Sequence, residues 1–226
     1  MNKEQFNNFI EVFLEQNARL NLISKNDEKV LWEKHICDSL AIEHFFRREN
    51  GEWGHVLPLR EDRNFCNINS GKNSEVGVLT LLDIGTGGGF PAIPIAIAYP
   101  EIQVFALDSI KKKINALKEI KTTLRLENLH PICTRAEELA KDPAKKFDII
   151  TSRAVAPLEK LIGYAMPLLK PDGYFIAYKS LKAQEEIDAA KHTLKKHRAK
   201  VSNIIEYELP LRENHTRNLI AVKPSC

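Results

Sequence analysis

The stretch LLDIGTGGGFPAIPIAIA, residues 81–98, constrains the fold more than any other part of the chain. Leu81, Leu82 and Ile84 have the apolar character of a buried strand. The glycines that follow let the backbone turn sharply and approach a ligand, because they carry no Cβ. Pro91 suits the first turn of a helix, where its missing N–H costs nothing. A strand, a glycine loop and a helix in this order build a nucleotide-type cofactor site at the carboxyl end of a parallel strand.

The composition is that of a globular protein, with 43% hydrophobic and 28% charged residues among 226. No apolar run reaches the length of a membrane span, and the N-terminal MNKEQFNNFIEVF has acidic residues and asparagines where a signal peptide has an apolar core. The cysteines are scattered and form no C-x-x-C pair: Cys37, Cys66, Cys133 and Cys226. We therefore expect a cytoplasmic protein with reduced thiols and no metal site or disulfide framework.

After residue 78 the chain alternates between strand-like and helix-like segments. Strands are predicted at about 79–84, 102–108, 129–134, 147–152, 173–179, 201–208 and 217–223. Helices are predicted from near Pro91 and over 109–126, 158–169 and 182–198, with LKPDG as a turn. Such alternation predicts an α/β fold with a mostly parallel sheet, helices on both faces and an antiparallel edge made by the closing strand pair.

Two helical patterns precede this alternation. Phe6, Phe9 and Phe13 recur at helical spacing, and a second apolar stripe runs over 27–47. These patterns predict an N-terminal helical cap over 1–48. Residues 49–78 are rich in Gly, Asn, Ser and charges without a period, which predicts a linker or flexible insertion. The sheet domain is then 79–226.

The spacing within the glycine loop narrows the cofactor. A dinucleotide fingerprint would place its third glycine where Phe90 stands, and there is no Walker-type phosphate loop. The pattern is instead Asp83-x-Gly85-x-Gly87-x-Gly89, which resembles motif I of class I S-adenosylmethionine-dependent methyltransferases. That resemblance implies a glycine loop around the amino-acid and ribose portions of S-adenosylmethionine.

Two further positions fit the same site. Asp108 ends the second predicted strand, where an acid accepts hydrogen bonds from ribose hydroxyls; the alternative is a capping acid beside Ser109, a candidate helix N-cap. Ala136 and Glu137 follow the third predicted strand, where methyltransferases commonly hold adenine. By composition alone this segment is an ordinary helix start.

Four groups of segments resemble one family. They are NARLNLIS with HICDSLAI; DIGTGGGFPAIPIAIAYP; LDSIKKKINALKEI with RAEEL; and TSRAVAPLEKL with LLKPDG and AYKS. Together they are similar to the bacterial 16S ribosomal RNA (guanine-N7)-methyltransferases of the glucose-inhibited division protein B family. The resemblance implies a Rossmann-like, seven-stranded class I methyltransferase domain. It also implies methylation of guanine N7 in the 530-loop region of 16S ribosomal RNA, with S-adenosyl-L-homocysteine as the second product.

Carried across by position, the family implies cofactor contacts at Gly85, Phe90, Ala136, Glu137 and Arg153. The broader superfamily adds three positions to this set: Asp83, Gly87 and Asp108. The chain departs from the family pattern at Ala92, where glycine is usual, and in the long 49–78 segment.

The expected chemistry is mainly positioning. Guanine N7 carries an in-plane lone pair at neutral pH, so no general base is needed, and alignment of the reacting atoms dominates. Arg153, at the end of the fourth predicted strand, could hold the cofactor, contact guanine O6 or a phosphate, or form a structural ion pair. Lys179, ending the fifth, could meet the RNA backbone or be an ordinary exposed lysine. His35 and Asp38 lie one turn apart, and a structural hydrogen bond is the simpler explanation of that pair.

The expected partner is 16S ribosomal RNA or the small ribosomal subunit, with no membrane and a monomeric protein. Because N7 lies in the groove that side chains cannot read in A-form RNA, the target guanine should be unpaired or distorted. Candidate phosphate contacts are basic, and some of them could be a solvated helix face: Lys111, Lys112, Lys113, Lys191, Lys195, Lys196, Arg198 and Lys200. Alternatives are a methyltransferase acting on another RNA, a small molecule or a protein, a non-catalytic RNA-binding assembly factor, and, least favoured, a nicotinamide dehydrogenase.

Overall fold

A seven-stranded sheet with the order β3-β2-β1-β4-β5-β7-β6 organises the protein. The computed structural model describes residues 3–46, 78–212 and 215–225. The strands are β1 (Thr80–Ile84), β2 (Gln103–Asp108), β3 (Leu129–Cys133), β4 (Phe147–Arg153), β5 (Leu169–Lys179), β6 (Ala199–Leu209) and β7 (His215–Pro224). Strands β1 to β5 are parallel, and β7 runs antiparallel to both β5 and β6. The predicted fold class is confirmed.

Helices cover both faces of this sheet. They are α5 (Ala92–Ala98), α6 (Lys111–Leu124), α7 (Ala136–Leu139), α8 (Leu158–Ala165), α9 (Ala183–Ala189) and α10 (Lys191–Lys196). Successive strand residues point to opposite faces, so Leu81 joins one apolar core while Leu82 and Ile84 join the other. Both cores flank the carboxyl ends of the parallel strands and fix the loops that leave them.

The N-terminal cap consists of α1 (Lys3–Leu20), α2 (Lys25–Glu28), a π-helical segment (Leu31–Ile36), α3 (Cys37–Leu40) and α4 (Glu43–Phe46). Phe9 and Phe13 of α1 are fully buried and pack on Phe90, with ring centroids 5.8 and 5.1 Å away. The cap thus shares a core with the sheet domain. The predicted linker over 49–78 lies outside the described residues except for residue 78, and the division into domains stays a prediction.

One continuous helix over 27–47 is a wrong prediction. The chain forms short segments joined through the wider π-helical turn, which changes the phase of the side chains. This orientation buries Leu31 and Ile36. It also brings His35 and Asp38 to the carboxyl end of β4, where both contact Arg153. Apolar periodicity in the sequence detects the burial of Leu31 and Ile36. It does not detect the polar contacts of His35 and Asp38.

Three other boundaries differ from expectation, one of them being the helix predicted over 158–169, which ends at Ala165. LKPDG belongs to β5, because Leu169 pairs with Phe147 ahead of a register shift that accommodates the irregular residues. The helix predicted over 182–198 is divided at Ala190 into α9 and α10. Both closing strands are present and slightly longer than predicted.

Candidate functional site

The glycine loop connects β1 to α5 and is hydrogen-bonded to the carboxyl end of β2. The N–H groups of Gly85 and Thr86 donate to the Leu107 carbonyl oxygen at 2.8 and 2.9 Å, which fixes the start of the loop. Gly85 has a φ of +73°, in the left-handed region that favours glycine, and an added Cβ would overlap the side chain of Val155. The loop conformation therefore requires glycine at this position.

A cavity of about 380 Å³ opens beside this loop, and the segments after β1, β2, β3 and β4 enclose it. Four predicted cofactor residues line it: Gly85, Asp108, Ala136 and Glu137. These residues are far apart in sequence, and the parallel strands bring them to one edge. We call this space the loop cavity.

Asp108 is the polar centre of the loop cavity. Its Oδ2 accepts the Gly87 N–H at 3.0 Å and lies 3.9 Å from Lys113 Nζ, while Oδ1 accepts the Ile110 N–H at 2.8 Å. The prediction of Ser109 as N-cap is wrong, because Ile110 occupies that position without a side-chain cap and Asp108 satisfies its N–H. The structure is thus compatible with both sequence-based interpretations of Asp108. As a capping acid it accepts a local backbone N–H, and as a candidate ribose-binding acid it faces a cavity. Gly87 supports this carboxylate and does not itself line the cavity.

Asp83 lies beneath the loop and does not line the loop cavity. It is fully buried, and its Oδ1 accepts the Thr151 hydroxyl at 2.9 Å. Burial raises the pKa of Asp83 to about 6, and the Thr86 and Thr151 hydroxyls and Arg153 oppose part of that effect. This position suits support of the glycine loop; a direct cofactor contact by Asp83 stays a prediction.

Phe90 is buried in the aromatic core of the cap. Its ring packs on Phe9, Phe13 and His35 and faces the guanidinium of Arg153, whose Cζ lies 5.4 Å from the ring centroid. Its ring lies outside the loop cavity. A cofactor contact by Phe90 stays a prediction.

A larger cavity of about 780 Å³ lies between the cap and the ends of β4 and β5. It shares Ala154 and Val155 with the loop cavity, so the two spaces meet above Gly85. Cap residues, including Lys34 and His35, form one wall. We call it the cap cavity.

Arg153 lines the cap cavity and pairs with the cap. Its Nη1 donates to Asp38 Oδ2 at 2.8 Å and to the Lys34 carbonyl oxygen at 3.3 Å, and Nη2 donates to His35 Nδ1 at 2.8 Å. Burial lowers the pKa of His35 to about 4, and the charge of Arg153 adds to that effect. His35 is therefore neutral near pH 7, with Nδ1 available as an acceptor. The ion pair that the sequence left open is present, on a residue that still faces a cavity.

The alternative of an ordinary exposed lysine is wrong for Lys179, and its contact with the RNA backbone stays a prediction. Its Nζ donates to the Ala156 carbonyl oxygen at 2.8 Å and to Glu186 Oε2 at 2.6 Å, and the side chain is 9% exposed. Glu186 Oε2 also accepts the Leu158 N–H at 2.7 Å. Lys179 thus anchors the 154–157 loop to α9, because a buried ammonium needs these acceptors. It retains contact with the cap cavity.

The predicted phosphate contacts divide between the two edges of the sheet. Lys111, Lys112 and Lys113 begin α6 at the carboxyl edge, beside the loop cavity. Arg198 and Lys200 lie at the opposite edge, because Ala199 pairs with Pro224 while Asn218, near the start of β7, pairs with Lys179. The group at the start of β6 therefore lies at the edge opposite the loop cavity, and phosphate contact by either group stays a prediction.

Sequence reasoning missed the role of the cap in this site. Tyr207, on β6, donates to Asp38 Oδ1 at 2.6 Å, so Asp38 links β6 to Arg153. The signal available in the sequence was an aspartate one helical turn from a histidine. The partners of this aspartate lie more than a hundred residues away along the chain.

Within the described residues no cluster of His, Cys, Asp and Glu could hold a metal ion. The same residues contain no helix long and apolar enough to cross a membrane.

Comparison with known proteins identifies the family. The GidB family model, described as rRNA small subunit methyltransferase G, matches residues 2–56 and 66–220. Ribosomal RNA small subunit methyltransferase G of Bacillus licheniformis is 33% identical over 222 residues, covering 97% of this chain and 81% of the relative. The protein of the same name from Lachnoclostridium phytofermentans is 35% identical over 97% of this chain and 80% of the relative.

Solved structures with low sequence identity share the fold. The Methanococcus jannaschii fibrillarin pre-rRNA processing protein superposes with a TM-score of 0.51 at 18% identity, covering 69% of this chain and 71% of that one. TYW2 of M. jannaschii, solved in complex with AdoMet, gives 0.50 at 19% identity over 64% and 68% of the two chains. These neighbours support the class I methyltransferase architecture, and the family match and the relatives extend over nearly the whole chain. The chain therefore belongs to the GidB family of rRNA small subunit methyltransferase G proteins.

Proposed function

We propose that this protein transfers a methyl group from S-adenosylmethionine to N7 of an unpaired guanine in the 530-loop region of 16S ribosomal RNA. The observation that carries the proposal is the meeting of two cavities at Ala154 and Val155, at the carboxyl edge of the sheet, in a chain of the GidB family. The loop cavity takes the cofactor, and the cap cavity takes the guanine.

The residues of the loop cavity fit S-adenosylmethionine. Gly85 lines the cavity in a conformation that favours glycine, and Asp108 is an acid placed at the end of β2 for the ribose hydroxyls. The backbone at Ala136 and Glu137 would face the adenine. When bound, the cofactor supplies an electrophilic methyl group on a sulfonium. Asp83, Gly87 and Phe90 act by supporting the loop and its packing.

The cap cavity supplies position. Guanine N7 needs no deprotonation, so the task of these residues is to hold the base with N7 toward the loop cavity. Arg153 offers donors to an oxygen acceptor, either guanine O6 or the cofactor carboxylate. Lys179 holds the 154–157 loop, whose first two residues border both spaces. No residue is assigned as a general base, in keeping with the chemistry of N7.

The proposed macromolecular partner is 16S ribosomal RNA, free or within the small subunit, and the protein acts as a monomer in the cytoplasm, where that substrate is found. The lysines that begin α6 lie at the edge where the RNA must approach. Arg198 and Lys200 lie at the opposite edge, where the parallel strands begin. Phosphate contacts near the site would make binding salt-dependent.

The test is transfer of a trideuterated methyl group. Small subunits from a strain lacking the family gene are incubated with the protein and CD3-labelled S-adenosylmethionine. One portion of the RNA is digested to nucleosides to identify the labelled base, and another to oligonucleotides to map it, both for mass spectrometry. The proposal predicts labelled 7-methylguanosine at one site, mapped to the 530-loop region. Label in another nucleoside, or in protein, would contradict it, and RNA binding without transfer would favour an assembly factor.

A further inference from the structure

The guanidinium of Arg153 is held on several sides before any ligand is considered. Asp38 and the Lys34 carbonyl oxygen accept from Nη1, and His35 accepts from Nη2. All three acceptors belong to the cap, while Arg153 ends a central strand. The orientation of this arginine is thus decided by the cap and not by the sheet.

Asp38 is itself held from a third direction. Its two carboxylate oxygens are divided: Oδ2 binds Arg153 at 2.8 Å, and Oδ1 accepts the Tyr207 hydroxyl at 2.6 Å. Asp38 and Tyr207 are 5% and 7% exposed, so solvent competes little for these bonds. A buried carboxylate with both oxygens occupied has little rotational freedom, and neither has the arginine paired with it.

The contacts leave part of the guanidinium available. Arginine has five N–H donors, and the cap acceptors engage both hydrogens of Nη1 and one of Nη2. The Nε–H and the second Nη2–H have no partner among residues 3–46, 78–212 and 215–225, on a side chain that lines the cap cavity. A charged donor in a cavity wall favours an oxygen acceptor as its ligand.

We propose that Asp38, supported by Tyr207 and together with His35, is a positioning residue that fixes Arg153 so that its remaining N–H groups bind an oxygen acceptor during methyl transfer. The acceptor is guanine O6 or the cofactor carboxylate. This inference rests on the proposed function. It makes the seating of the N-terminal cap a condition for a productive site, although the cap supplies no group to the reacting atoms.

The acceptor at position 6 of the base bears on specificity. Adenine also carries N7, but it presents an amino group at position 6 where guanine presents an oxygen. A fixed arginine donor beside N7 would bind guanine O6 and oppose the adenine amino group. If O6 is the acceptor, the cap network contributes to the choice of guanine.

The test is a double-mutant cycle of Asp38→Asn and Arg153→Ala. Three quantities are measured: kcat/KM for methyl transfer to small subunits, the Kd for S-adenosylhomocysteine, and the melting temperature. We expect Asp38→Asn to lower kcat/KM, or to raise that Kd, by about 10-fold or more, because the amide carries no charge and offers one oxygen acceptor where the carboxylate offers two. The effect should vanish in the Arg153→Ala background, because Asp38 acts through Arg153. If the two substitutions instead act independently, so that their fold-changes multiply in the double variant, the proposal is overturned.

Tyr207→Phe and Gln16→Ala form a matched pair of milder variants. Tyr207→Phe removes one hydrogen bond from Asp38 and leaves the ion pair in place. Gln16→Ala removes the 2.9 Å bond from Gln16 to Glu119, which joins the cap to α6 away from both cavities. We expect both to lower the melting temperature and only Tyr207→Phe to lower activity or cofactor affinity. Equal behaviour would mean that the network merely holds the cap, and would overturn the proposal.

The readouts also separate the two acceptors and the two hypotheses. A change in Kd for S-adenosylhomocysteine identifies the cofactor carboxylate as the acceptor, whereas an unchanged Kd with reduced kcat/KM identifies guanine O6. If wild-type protein transfers no methyl group to the small subunit, the proposed function fails. The cycle is then read on Kd alone, where additivity or the absence of any effect contradicts the positioning role.

Discussion

The loop cavity and the cap cavity meet at Ala154 and Val155 but are built in opposite ways. The loop cavity is made of backbone turns that leave neighbouring parallel strands, with glycine at the point of closest approach. The cap cavity is made by charged side chains of the cap held against β4, β5 and β6. The first is fixed by the sheet itself, whereas the second exists only while the cap is seated. Changes at the two cavities should therefore have separable effects.

The largest expected effect is loss of cofactor binding in Asp108→Ala. The variant removes the acid for the ribose hydroxyls and the acceptor for the Gly87 and Ile110 N–H groups. We expect the Kd for S-adenosylhomocysteine to rise about 100-fold or more, because the cofactor can no longer form two hydrogen bonds to a charged group. Calorimetric titration measures it.

Asp142→Ala is the matched control for this variant. Asp142 also accepts a backbone N–H two residues on, from Ala144, but at an exposed turn away from both cavities. It should leave the Kd unchanged. Ribosomal RNA binding by Asp108→Ala should also persist, and its loss along with cofactor binding would contradict the division of the site into two cavities.

Gly85→Ala tests the backbone character of the loop cavity. A Cβ would strain a φ of +73° and collide with Val155. We expect the free energy of unfolding to fall by about 1–3 kcal/mol and cofactor affinity to fall with it. Urea denaturation and calorimetry measure the two.

Gly163→Ala is the opposite case on α8. Nothing lies within 4 Å of a Cβ added there. This variant should raise stability by about 0.5–1 kcal/mol and leave binding alone. If Gly85→Ala leaves the free energy of unfolding and the cofactor affinity unchanged, the loop does not need its glycine.

The pH dependence of stability tests the cap cavity. The folded pKa of His35, about 4, lies below the ordinary histidine value of 6.5, so the unfolded chain binds the proton first as pH falls. His35 therefore contributes its full stability above pH 6.5 and loses it as pH falls toward 4. Near pH 5 the loss should be roughly 2 kcal/mol.

His35→Gln should remove that loss, as urea denaturation at pH 7.5 and pH 5 would show. Asp83 acts in the opposite sense over much of this range, because its raised pKa makes the folded chain bind a proton more readily as pH falls. That contribution is present in both proteins and cancels in the comparison. Parallel pH profiles for the two proteins would show that His35 is not buried in its neutral form.

The smallest expected effect concerns the surface lysines at the two edges of the sheet. Lys111→Ala with Lys112→Ala should reduce the slope of log affinity against log salt for ribosomal RNA by about 1 for each phosphate that the protein no longer binds. Lys195→Ala with Lys196→Ala, close to the edge where the parallel strands begin, should leave this slope unchanged. Filter binding at several salt concentrations measures both. The reverse result would place the RNA on the other edge.

These two cavities also differ in how far the sequence predicts them. The glycine spacing and Asp108 lie within one continuous stretch, and parallel-strand geometry places Ala136 and Glu137 beside them, so pattern reasoning finds the loop cavity. The cap cavity depends on long-range ion pairs. His35 and Asp38 are noticed in sequence as a pair, but nothing local indicates that Arg153 and Tyr207 are their partners.

Buried polar contacts likewise explain two of the wrong predictions. The π-helical turn satisfies the contacts of His35 and Asp38, which apolar periodicity does not detect. Lys179 looked exposed because lysine usually is, yet Glu186 and a backbone carbonyl oxygen neutralise it in the fold. Both errors arise where side chains from distant segments meet.

Hydrogen exchange of the backbone amides with successive ligands tests the two-cavity account most directly. S-adenosylhomocysteine alone should slow exchange in 84–90, 107–113 and 134–137, around the loop cavity. Addition of a 16S ribosomal RNA fragment containing the 530 loop should then slow exchange in 27–38 and 178–186, around the cap cavity. Protection of the cap by S-adenosylhomocysteine, with the loops after β1, β2 and β3 unchanged, would contradict the account.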